Sequence, residues 1–384
     1  MAIIVLCLTL RAESVELTEA PDVVSHMAYA TVSEHTLYIQ GGYKFITLEV
    51  KGLYRQFFSL DLTQSWSTSN PPWTEVSAAD TPNYTQLTAG GHTMSVSEDN
   101  NTLTLWDIGF PSFFEMSYMY HINTHSWEVV TGLPPPNSTS RGFYQAATDP
   151  TTGRVYIPGR LANNSMLQYD FSTRSMTAVP MPLGVGATTW NHYSFIWNEV
   201  RGAFLLFGGE GTPSVGSYLY EFKPSSSTPW TPMLSKGTVP PHTADSCMVS
   251  AYQGTKVLMF GGHIFDQPLN QTTEGTLYIL DVATMTWSQG PRSQSRNGMA
   301  CAVSGDNMVV WGGFTTFNST GMYEYPSVAL LVYNIRSAQW TTLYEHSKLN
   351  EKPPSSEASE AAITGGSVVS TAVFATAIAA LLFT

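Results

Sequence analysis

Histidine offers the widest range of chemistry in this chain, which has 384 residues and nine histidines. The histidines are His26, His35, His92, His121, His125, His192, His242, His263 and His346. His121 and His125 are four residues apart, but they lie in a segment that reads as strand and turn, where this spacing does not put two imidazoles on one helical face. Because a closed metal site usually needs three or four ligands, the sequence predicts no metal site and no bound cofactor.

Motifs of common hydrolytic and nucleotide-dependent enzymes are absent. The sequence has no Gly-x-Ser-x-Gly elbow, no His-Glu-x-x-His motif and no phosphate-binding glycine loop. No residue is therefore predicted to be catalytic.

The charge of the chain excludes some partners. Only 12% of the residues are charged and the net charge is −12, with no run of basic residues. Nucleic acids and anionic lipid surfaces both require clustered Lys and Arg. We therefore expect neither to be a partner.

The elements that must position any functional side chain return every fifty-odd residues. An apolar run ends in glycine, as in Leu37–Gly42 and Val257–Gly262, and a run that closes on tryptophan follows. The second glycine, or its equivalent, falls at Gly42, Gly109, Gly159, Gly209, Gly262 and Gly313. The closing aromatic falls at Trp66, Trp127, Trp230, Trp287 and Trp340, with Met176 in the third unit. Such a period, with several short strands per unit, predicts radial blades.

Each unit reads as two hairpins joined by a loop. Glycine at the end of the second strand allows positive φ and close backbone approach near the axis. Aspartates such as Asp170 and Asp281 are predicted to hold the turn between the last two strands. The outer-strand tryptophan supplies a flat surface to wedge between neighbouring blades.

These residues resemble the kelch repeat, and the resemblance covers residues 26–343. It implies an all-β, six-bladed kelch-type β-propeller with four-stranded antiparallel blades, as in galactose-oxidase-like central domains and fungal surface proteins. No strand shared between the first and last blades is evident, and Val15–Leu17 is the one candidate to close the ring.

The resemblance implies a protein- or carbohydrate-binding module. The alternative is a carbohydrate-active oxidase or other enzyme, because a fold does not settle activity. A copper site of the galactose-oxidase kind needs a tyrosine cross-linked to a cysteine, and neither Cys247 nor Cys301 is predicted to lie in a loop. A second alternative is an intracellular kelch scaffold.

Cys247 and Cys301 occupy matching places in the first strands of the fifth and sixth units. They are either two small buried core residues or a disulfide that joins adjacent blades, which requires Cα atoms within about 7 Å. The third cysteine, Cys7, is expected to leave with a signal peptide.

The two ends indicate the secretory route. Residues 1–12 are predicted to be a signal peptide and residues 13–25 a polar lead-in. Residues 344–366 are predicted to be a polar stalk, and residues 367–384 a hydrophobic tail that is either a lipid-anchor signal or a transmembrane helix. The expected location is the cell surface or plasma membrane, on the extracellular face.

Six sequons support that location, and we predict N-glycosylation at Asn83, Asn100, Asn137, Asn163, Asn270 and Asn318. Only Asn100 is assigned to a first-hairpin turn, and the others to loops on the opposite face. The outer strand of the last blade is expected to run toward that opposite face. Glycans and stalk are therefore predicted to share one face, which leaves the other freer for partners.

Loops that follow the glycine positions carry aromatic and polar residues suited to recognising protein or carbohydrate. The candidate binding residues are Tyr43, Phe45, Phe113, Phe114, Glu210, His263, Phe265, Phe314, Tyr323 and Tyr325. About half of the aromatics are expected to fold inward over the blade ends. The resemblance adds Arg141 and Arg296, which precede first strands, where kelch relatives often line the central pocket.

Overall fold

The structure is a computed structural model that describes eleven segments of the chain. They are residues 20–45, 50–76, 88–108, 116–130, 133, 143–161, 165–181, 191–210, 218–264, 273–317 and 323–346. The predicted signal peptide, most of the stalk and the tail lie outside these segments.

The first three units form strands β1 to β15. Blade 1 contains β1 (Ala28–Val32), β2 (Thr36–Gln40), β3 (Tyr43–Phe45), β4 (Val50–Leu53), β5 (Phe57–Asp61), β6 (Trp66–Ser67) and β7 (Trp73–Glu75). Blade 2 contains β8 (Thr93–Val96), β9 (Thr102–Ile108), β10 (Met116–His121) and β11 (Ser126–Val130). Blade 3 contains β12 (Ala147–Thr148), β13 (Val155–Leu161), β14 (Ser165–Asp170) and β15 (Ser175–Pro180).

The last three units form strands β16 to β33. Blade 4 contains β16 (Ser194–Asn198), β17 (Ala203–Phe207), β18 (Leu219–Phe222) and β19 (Trp230–Met233). Blade 5 and its lead-in contain β20 (Lys236–Gly237), β21 (Thr243–Ala244), β22 (Cys247–Ala251), β23 (Lys256–Phe260), β24 (His263–Ile264), β25 (Leu277–Asp281) and β26 (Thr286–Gln289). Blade 6 and the segment after it contain β27 (Ala300–Ser304), β28 (Asn307–Trp311), β29 (Thr316–Phe317), β30 (Tyr323–Glu324), β31 (Leu330–Asn334), β32 (Gln339–Thr341) and β33 (Leu343–Tyr344).

Six antiparallel sheets of four strands make up the propeller. Their orders are β1-β2-β5-β7, β8-β9-β10-β11, β12-β13-β14-β15, β16-β17-β18-β19, β22-β23-β25-β26 and β27-β28-β31-β32, and β20 adds parallel to β26. The predicted all-β, six-bladed fold is confirmed, and the described residues contain no α-helix. In this part of the chain no helix is long and apolar enough to span a bilayer.

We call the side of the disc on which the first strands begin the funnel face. The opposite side, which carries the first-hairpin turns such as residues 305–307, is the turn face. Asn100 lies in the turn between β8 and β9, on the turn face, with a φ of 58°. The other five predicted glycosylation sites lie outside the described residues.

Close packing at the axis explains the glycine pairs. Gly208 has a φ of +69°, and a Cβ there would lie 2.1 Å from the carbonyl oxygen of Thr243 in the next blade. The following Gly209 donates its N–H to that same oxygen at 3.0 Å. Blade 6 repeats the arrangement against blade 1, where Gly313 donates to Val24 at 2.8 Å. The predicted positive φ and close approach are confirmed.

The aspartate turns are also as predicted. Asp170 Oδ1 accepts the N–H of Ser172 at 3.0 Å, and Asp281 Oδ1 accepts that of Thr284 at 2.9 Å. A hydroxyl and Arg154 also bond Asp170 and lower its pKa to about 2.

Tryptophans of the outer strands wedge between neighbouring blades, but in blade 1 the tryptophan is not the expected one. Trp340 of blade 6 packs 5.0 Å from Phe260 of blade 5, measured between ring centroids, and its indole donates to Pro291. In blade 1, however, the outer strand β7 carries Trp73, whose ring lies 5.5 Å from Trp311 of blade 6. The assignment of Trp66 to that outer strand was wrong, because Trp66 lies in β6, a separate strand with another partner.

That partner is the end of the described chain. β33 pairs antiparallel with β6, and the Tyr344 ring stacks on Trp66 at 4.5 Å. The fully buried Tyr344 also donates its hydroxyl to Leu62 at 2.8 Å. Residues from blade 6 onward are thus fastened to blade 1, a closure by the C-terminal side that the sequence did not reveal.

The same contact reverses the chain direction. After β32 the chain turns at Thr342, and Asn307 in a first-hairpin turn donates to the carbonyl of Glu345 at 2.7 Å. His346 in turn contacts the Leu62 carbonyl. The chain therefore reaches residue 346 at the turn face, whereas the stalk is predicted to leave from the funnel face; the stalk after residue 346 lies outside the described residues.

Adjacent blades 5 and 6 are also joined covalently. Cys247 and Cys301 form a disulfide with their Cα atoms 6.2 Å apart and a sequence separation of 54. Both residues are also buried, so the two interpretations that the sequence left open apply together.

Candidate functional site

Each blade contributes one residue with positive φ to a ring around the axis, just before its first strand. These six ring residues are His26 (φ 53°), Gly91 (73°), Phe143 (61°), His192 (58°), Asp245 (53°) and Gly298 (64°). They share a structural position although they share no side-chain type.

The ring is closed by backbone hydrogen bonds, because every ring residue donates its N–H to the carbonyl of the ring residue one blade earlier. The N···O distances are 2.7 Å (His26 to Gly298), 2.8 Å (Gly91 to His26), 2.6 Å (Phe143 to Gly91), 2.7 Å (His192 to Phe143), 2.8 Å (Asp245 to His192) and 3.1 Å (Gly298 to Asp245). Six rigid blades therefore hold the six Cα atoms in fixed positions.

Four of the ring residues are not glycine. The left-handed region costs an L-residue roughly 1–2 kcal/mol relative to glycine, and residues held in it cluster at functional sites. Gly91 and Gly298 demonstrate that glycine fits the position. The side chains at His26, Phe143, His192 and Asp245 are therefore the first place to look for function.

These four side chains line a small funnel on the axis with a volume of about 80 Å³. A cavity of this size has room for a few water molecules or the tip of one side chain. Below it, Gln145 bridges the channel by accepting from the N–H of Phe195 at 2.8 Å and donating to the Tyr29 hydroxyl at 3.1 Å. That bridge separates the funnel from the half of the channel that opens on the turn face.

Asp245 lies between two imidazoles. Its Oδ1 is 2.6 Å from Nδ1 of His192, and its Oδ2 is 3.3 Å from Nε2 of His26. Burial alone would raise the pKa of Asp245, but the two imidazoles outweigh it and hold that pKa well below its usual range. Burial likewise acts to lower the pKa of His192, and the Asp245 carboxylate reverses the effect and raises it.

Aromatic rings fix the orientation of both imidazoles. The Tyr43 ring stacks on His26 with centroids 4.9 Å apart and planes 10° apart. The Phe143 ring stacks on His192 at 4.2 Å and 17°. The two histidines are therefore restrained by backbone, carboxylate and ring contacts together.

A second group of residues comes directly after the glycine pairs and lies beside Asp245. His263 lies with its Nδ1 3.8 Å from Asp245 Oδ2 and its Nε2 3.8 Å from Oε1 of Glu210, whose side chain is 39% exposed. Burial raises the pKa of Glu210 and lowers that of His263. Glu210 is the half-exposed carboxylate of the site.

Several candidate binding residues meet here. Tyr43, Glu210, His263 and Phe314 all lie at or beside the funnel, but Tyr43 and Phe314 are buried and pack on His26 instead of facing solvent. Tyr323 packs on Phe314, and Tyr325 donates to the Tyr43 carbonyl. The side chain of Phe45, and Phe113, Phe114 and Phe265, lie outside what the structure describes.

Arg296 behaves differently from the expectation. Arg296 is fully buried and donates to the carbonyl of Val328 instead of lining the funnel. Burial lowers its pKa to about 10. Arg141 lies outside the described residues.

Sequence reasoning treated the histidines as scattered and missed His26, His192 and Asp245. Their ligand atoms all lie within 4.8 Å of one another. The available signal was positional: in five blades the ring residue stands two places before the first strand. By contrast, His121 and His125 remain apart, since His121 contacts Glu128 and His125 contacts the Tyr120 hydroxyl.

The ring makes a stability prediction at Phe143. We expect the free energy of unfolding of Phe143→Gly to lie within about 1 kcal/mol of that of the wild type, because relief of left-handed strain offsets the lost aromatic contacts. Phe143→Val should reduce the free energy of unfolding by about 2 kcal/mol or more, since a β-branched residue tolerates positive φ poorly. Urea unfolding of both variants measures the difference, and equal stability would mean that the ring does not constrain the backbone.

Comparisons with known proteins agree with this architecture. A family model described as the KLHDC2/KLHL20/DRC7 Kelch-repeats domain matches residues 191–373. The multiple epidermal growth factor-like domains protein 8 of Rattus norvegicus and that of Mus musculus are each 26% identical to this chain, over 244 and 242 residues. Each match covers 58% of this chain and 8% of the relative.

Among solved structures, that of YjhT is similar, with a TM-score of 0.61 over 84% of this chain and 98% of that one. The sequences are 14% identical, so this likeness concerns the fold alone.

Proposed function

Because this chain is a kelch-repeat β-propeller, a kind of domain that is typically a protein-binding module, we propose that it binds a protein partner at the funnel. The partner would insert the tip of one side chain from a loop or turn, as the funnel volume of about 80 Å³ allows.

One observation carries this proposal. Four blades carry a residue other than glycine at a ring position where glycine would relieve strain. The result is a rigid cluster of imidazole, carboxylate and aromatic groups at the mouth of a concavity, the setting in which binding hot spots form.

The net charge adds to the partner's description. With a net charge of −12 and the half-exposed Glu210 beside the site, the propeller favours a partner whose contacting surface is basic. Charge complementarity of this kind chiefly raises the association rate.

We further propose that the protein is a glycosylated extracellular module attached to a membrane. Six sequons, an apolar amino-terminal run and an apolar carboxyl-terminal run support this. The Cys247–Cys301 disulfide adds support, because disulfides persist mainly in oxidising compartments. Expression in a eukaryotic secretory host, followed by phospholipase treatment of intact cells and deglycosylation, tests it, and a sugar-free cytosolic product would refute it.

The binding proposal is tested with a library of constrained peptides displayed on phage and selected against the secreted propeller. Selected peptides should lose at least 10-fold in affinity on Glu210→Gln and on Phe143→Gly. Glu34→Gln, the same change at a carboxylate lining the turn-face half of the channel, is the matched control and should leave affinity unchanged. Failure to select peptides, or loss on Glu34→Gln alone, would contradict a binding site at the funnel.

A further inference from the structure

Two imidazoles and one carboxylate converge on the axis from three different blades. His26, His192 and Asp245 each offer one ligand atom, and these atoms lie within 4.8 Å of one another. We infer that these three side chains bind a divalent transition-metal ion of the zinc class. This inference does not depend on the binding of a protein partner.

The spacing suits such an ion. Zinc bonds of about 2.0–2.2 Å in tetrahedral geometry place neighbouring ligand atoms about 3.3 Å apart. Nε2 of His26 and Oδ2 of Asp245 already stand at 3.3 Å. Nδ1 of His192 stands 2.6 Å from Oδ1 of the same carboxylate, so this pair must widen slightly as its hydrogen bond is replaced by bonds to the ion.

The donor set selects the class of metal. Calcium and magnesium require six or more oxygen ligands, many of them carboxylate or carbonyl. Imidazole nitrogen suits zinc, cobalt, nickel and ferrous iron instead. A set of two imidazoles and one carboxylate leaves a fourth position open, the arrangement typical of zinc sites that accept water or an outside ligand.

The ligands are positioned before any ion arrives. All three stand on the hydrogen-bonded ring, so their Cα atoms are fixed relative to one another. The Tyr43 ring lies on one imidazole and the Phe143 ring on the other. Such outer contacts hold ligand orientation in metal sites.

Gly298 is a positioning residue for His26. A Cβ at Gly298 would lie 2.6 Å from Cε1, 2.7 Å from Nδ1 and 2.8 Å from Nε2 of the His26 imidazole. The imidazole therefore lies directly over this glycine, and only a residue without a side chain leaves it room. The ring position of blade 6 is thus matched to the ligand from blade 1.

The open fourth position is reached through the funnel. His263 lies beside the three ligands, with its Nδ1 3.8 Å from Asp245 Oδ2 and its Nε2 3.8 Å from Oε1 of Glu210. A water molecule from the funnel would complete the coordination.

The test uses the untagged, secreted protein, dialysed against a chelator and then titrated with Co²⁺ by visible absorption and with Zn²⁺ by calorimetry. We expect one equivalent to bind with a Kd at or below about 1 μM and the Co²⁺ spectrum to be that of a low-coordinate site. Absence of saturable one-equivalent binding overturns the inference.

Variants identify the ligands. His26→Asn, His192→Asn and Asp245→Asn should each weaken binding at least 10-fold, and asparagine tolerates the left-handed backbone of the ring. Gly298→Ala should weaken binding and change the Co²⁺ spectrum, which a purely structural role would not do. Binding that is unaffected by the three asparagine variants would refute the assignment.

His125→Asn is the matched control. His125 also has positive φ, 51°, but it lies in the turn between β10 and β11 and hydrogen bonds to Tyr120. We expect this variant to bind the metal as the wild type does. An equal loss in this variant would mean that binding is not confined to the funnel and would also overturn the inference.

Discussion

Replacing Gly208 with alanine should reduce the free energy of unfolding by about 3–5 kcal/mol and abolish most secretion. The new Cβ would lie 2.1 Å from the carbonyl oxygen of Thr243, a backbone atom that cannot rotate away. The required shift also breaks the hydrogen bond that Gly209 donates to that oxygen at 3.0 Å. In addition, φ at Gly208 is +69°, which costs alanine roughly 1–2 kcal/mol.

Gly202 provides a control within the same blade. It lies in the turn between β16 and β17 with a φ of +54°, and a Cβ there would meet no atom within 4 Å. Gly202→Ala should therefore cost only about 1 kcal/mol. Urea unfolding and secreted yield measure both variants, and similar losses would show that backbone strain alone, not packing between blades, makes the glycine pair necessary.

Removal of the Cys247–Cys301 disulfide should reduce the free energy of unfolding by about 2–4 kcal/mol. The bond closes a segment with a sequence separation of 54 residues, which restricts the unfolded chain. The double variant Cys247→Ala with Cys301→Ala should therefore unfold at a clearly lower urea concentration than the oxidised wild type.

The single variants decide between the two roles of these cysteines. If the bond carries the stability, each single variant loses about as much as the double variant, and a reductant lowers the wild type to nearly the same level. If instead the stability losses of the two single variants add up to that of the double variant, and a reductant has no effect on the wild type, the cysteines act as two independent core residues.

The blades could be predicted because their signals are local and repeated. The glycine pair is required by contacts with the next blade, as at Gly208 and Gly313, and the same requirement recurs in successive units. The aspartate turns depend on residues two or three positions apart, as at Asp170. Periodicity and short-range chemistry together were enough for the fold.

Closure of the ring could not be predicted in this way. Tyr344 and Leu62 are 282 residues apart, and neither belongs to the repeat. β6 and β33 have only two residues each, too few for a strand signal. Trp66 was consequently assigned to an outer strand, when it serves as the platform for Tyr344.

The candidate site was predicted only at its rim. Glu210 and His263 follow glycine pairs and were found for that reason. His26, His192 and Asp245 share a backbone conformation but no residue type with the other ring positions, so a repeat defined by side chains does not detect them. Their common property is φ, which sequence patterns report only when the residue is glycine.

The circle of hydrogen bonds has a consequence for how the molecule unfolds. In open repeat arrays each unit contacts only its two neighbours, and each end unit contacts only one. The ends therefore fray, and the array can unfold one unit at a time. Here blade 1 donates a backbone hydrogen bond to blade 6, as every other blade donates one to the blade before it. The array of blades is therefore closed and has no free end. Unfolding of any one blade therefore breaks its contacts with two neighbours at once, and there is no end blade that could unfold at the cost of a single interface. The six blades are expected to unfold as one cooperative unit.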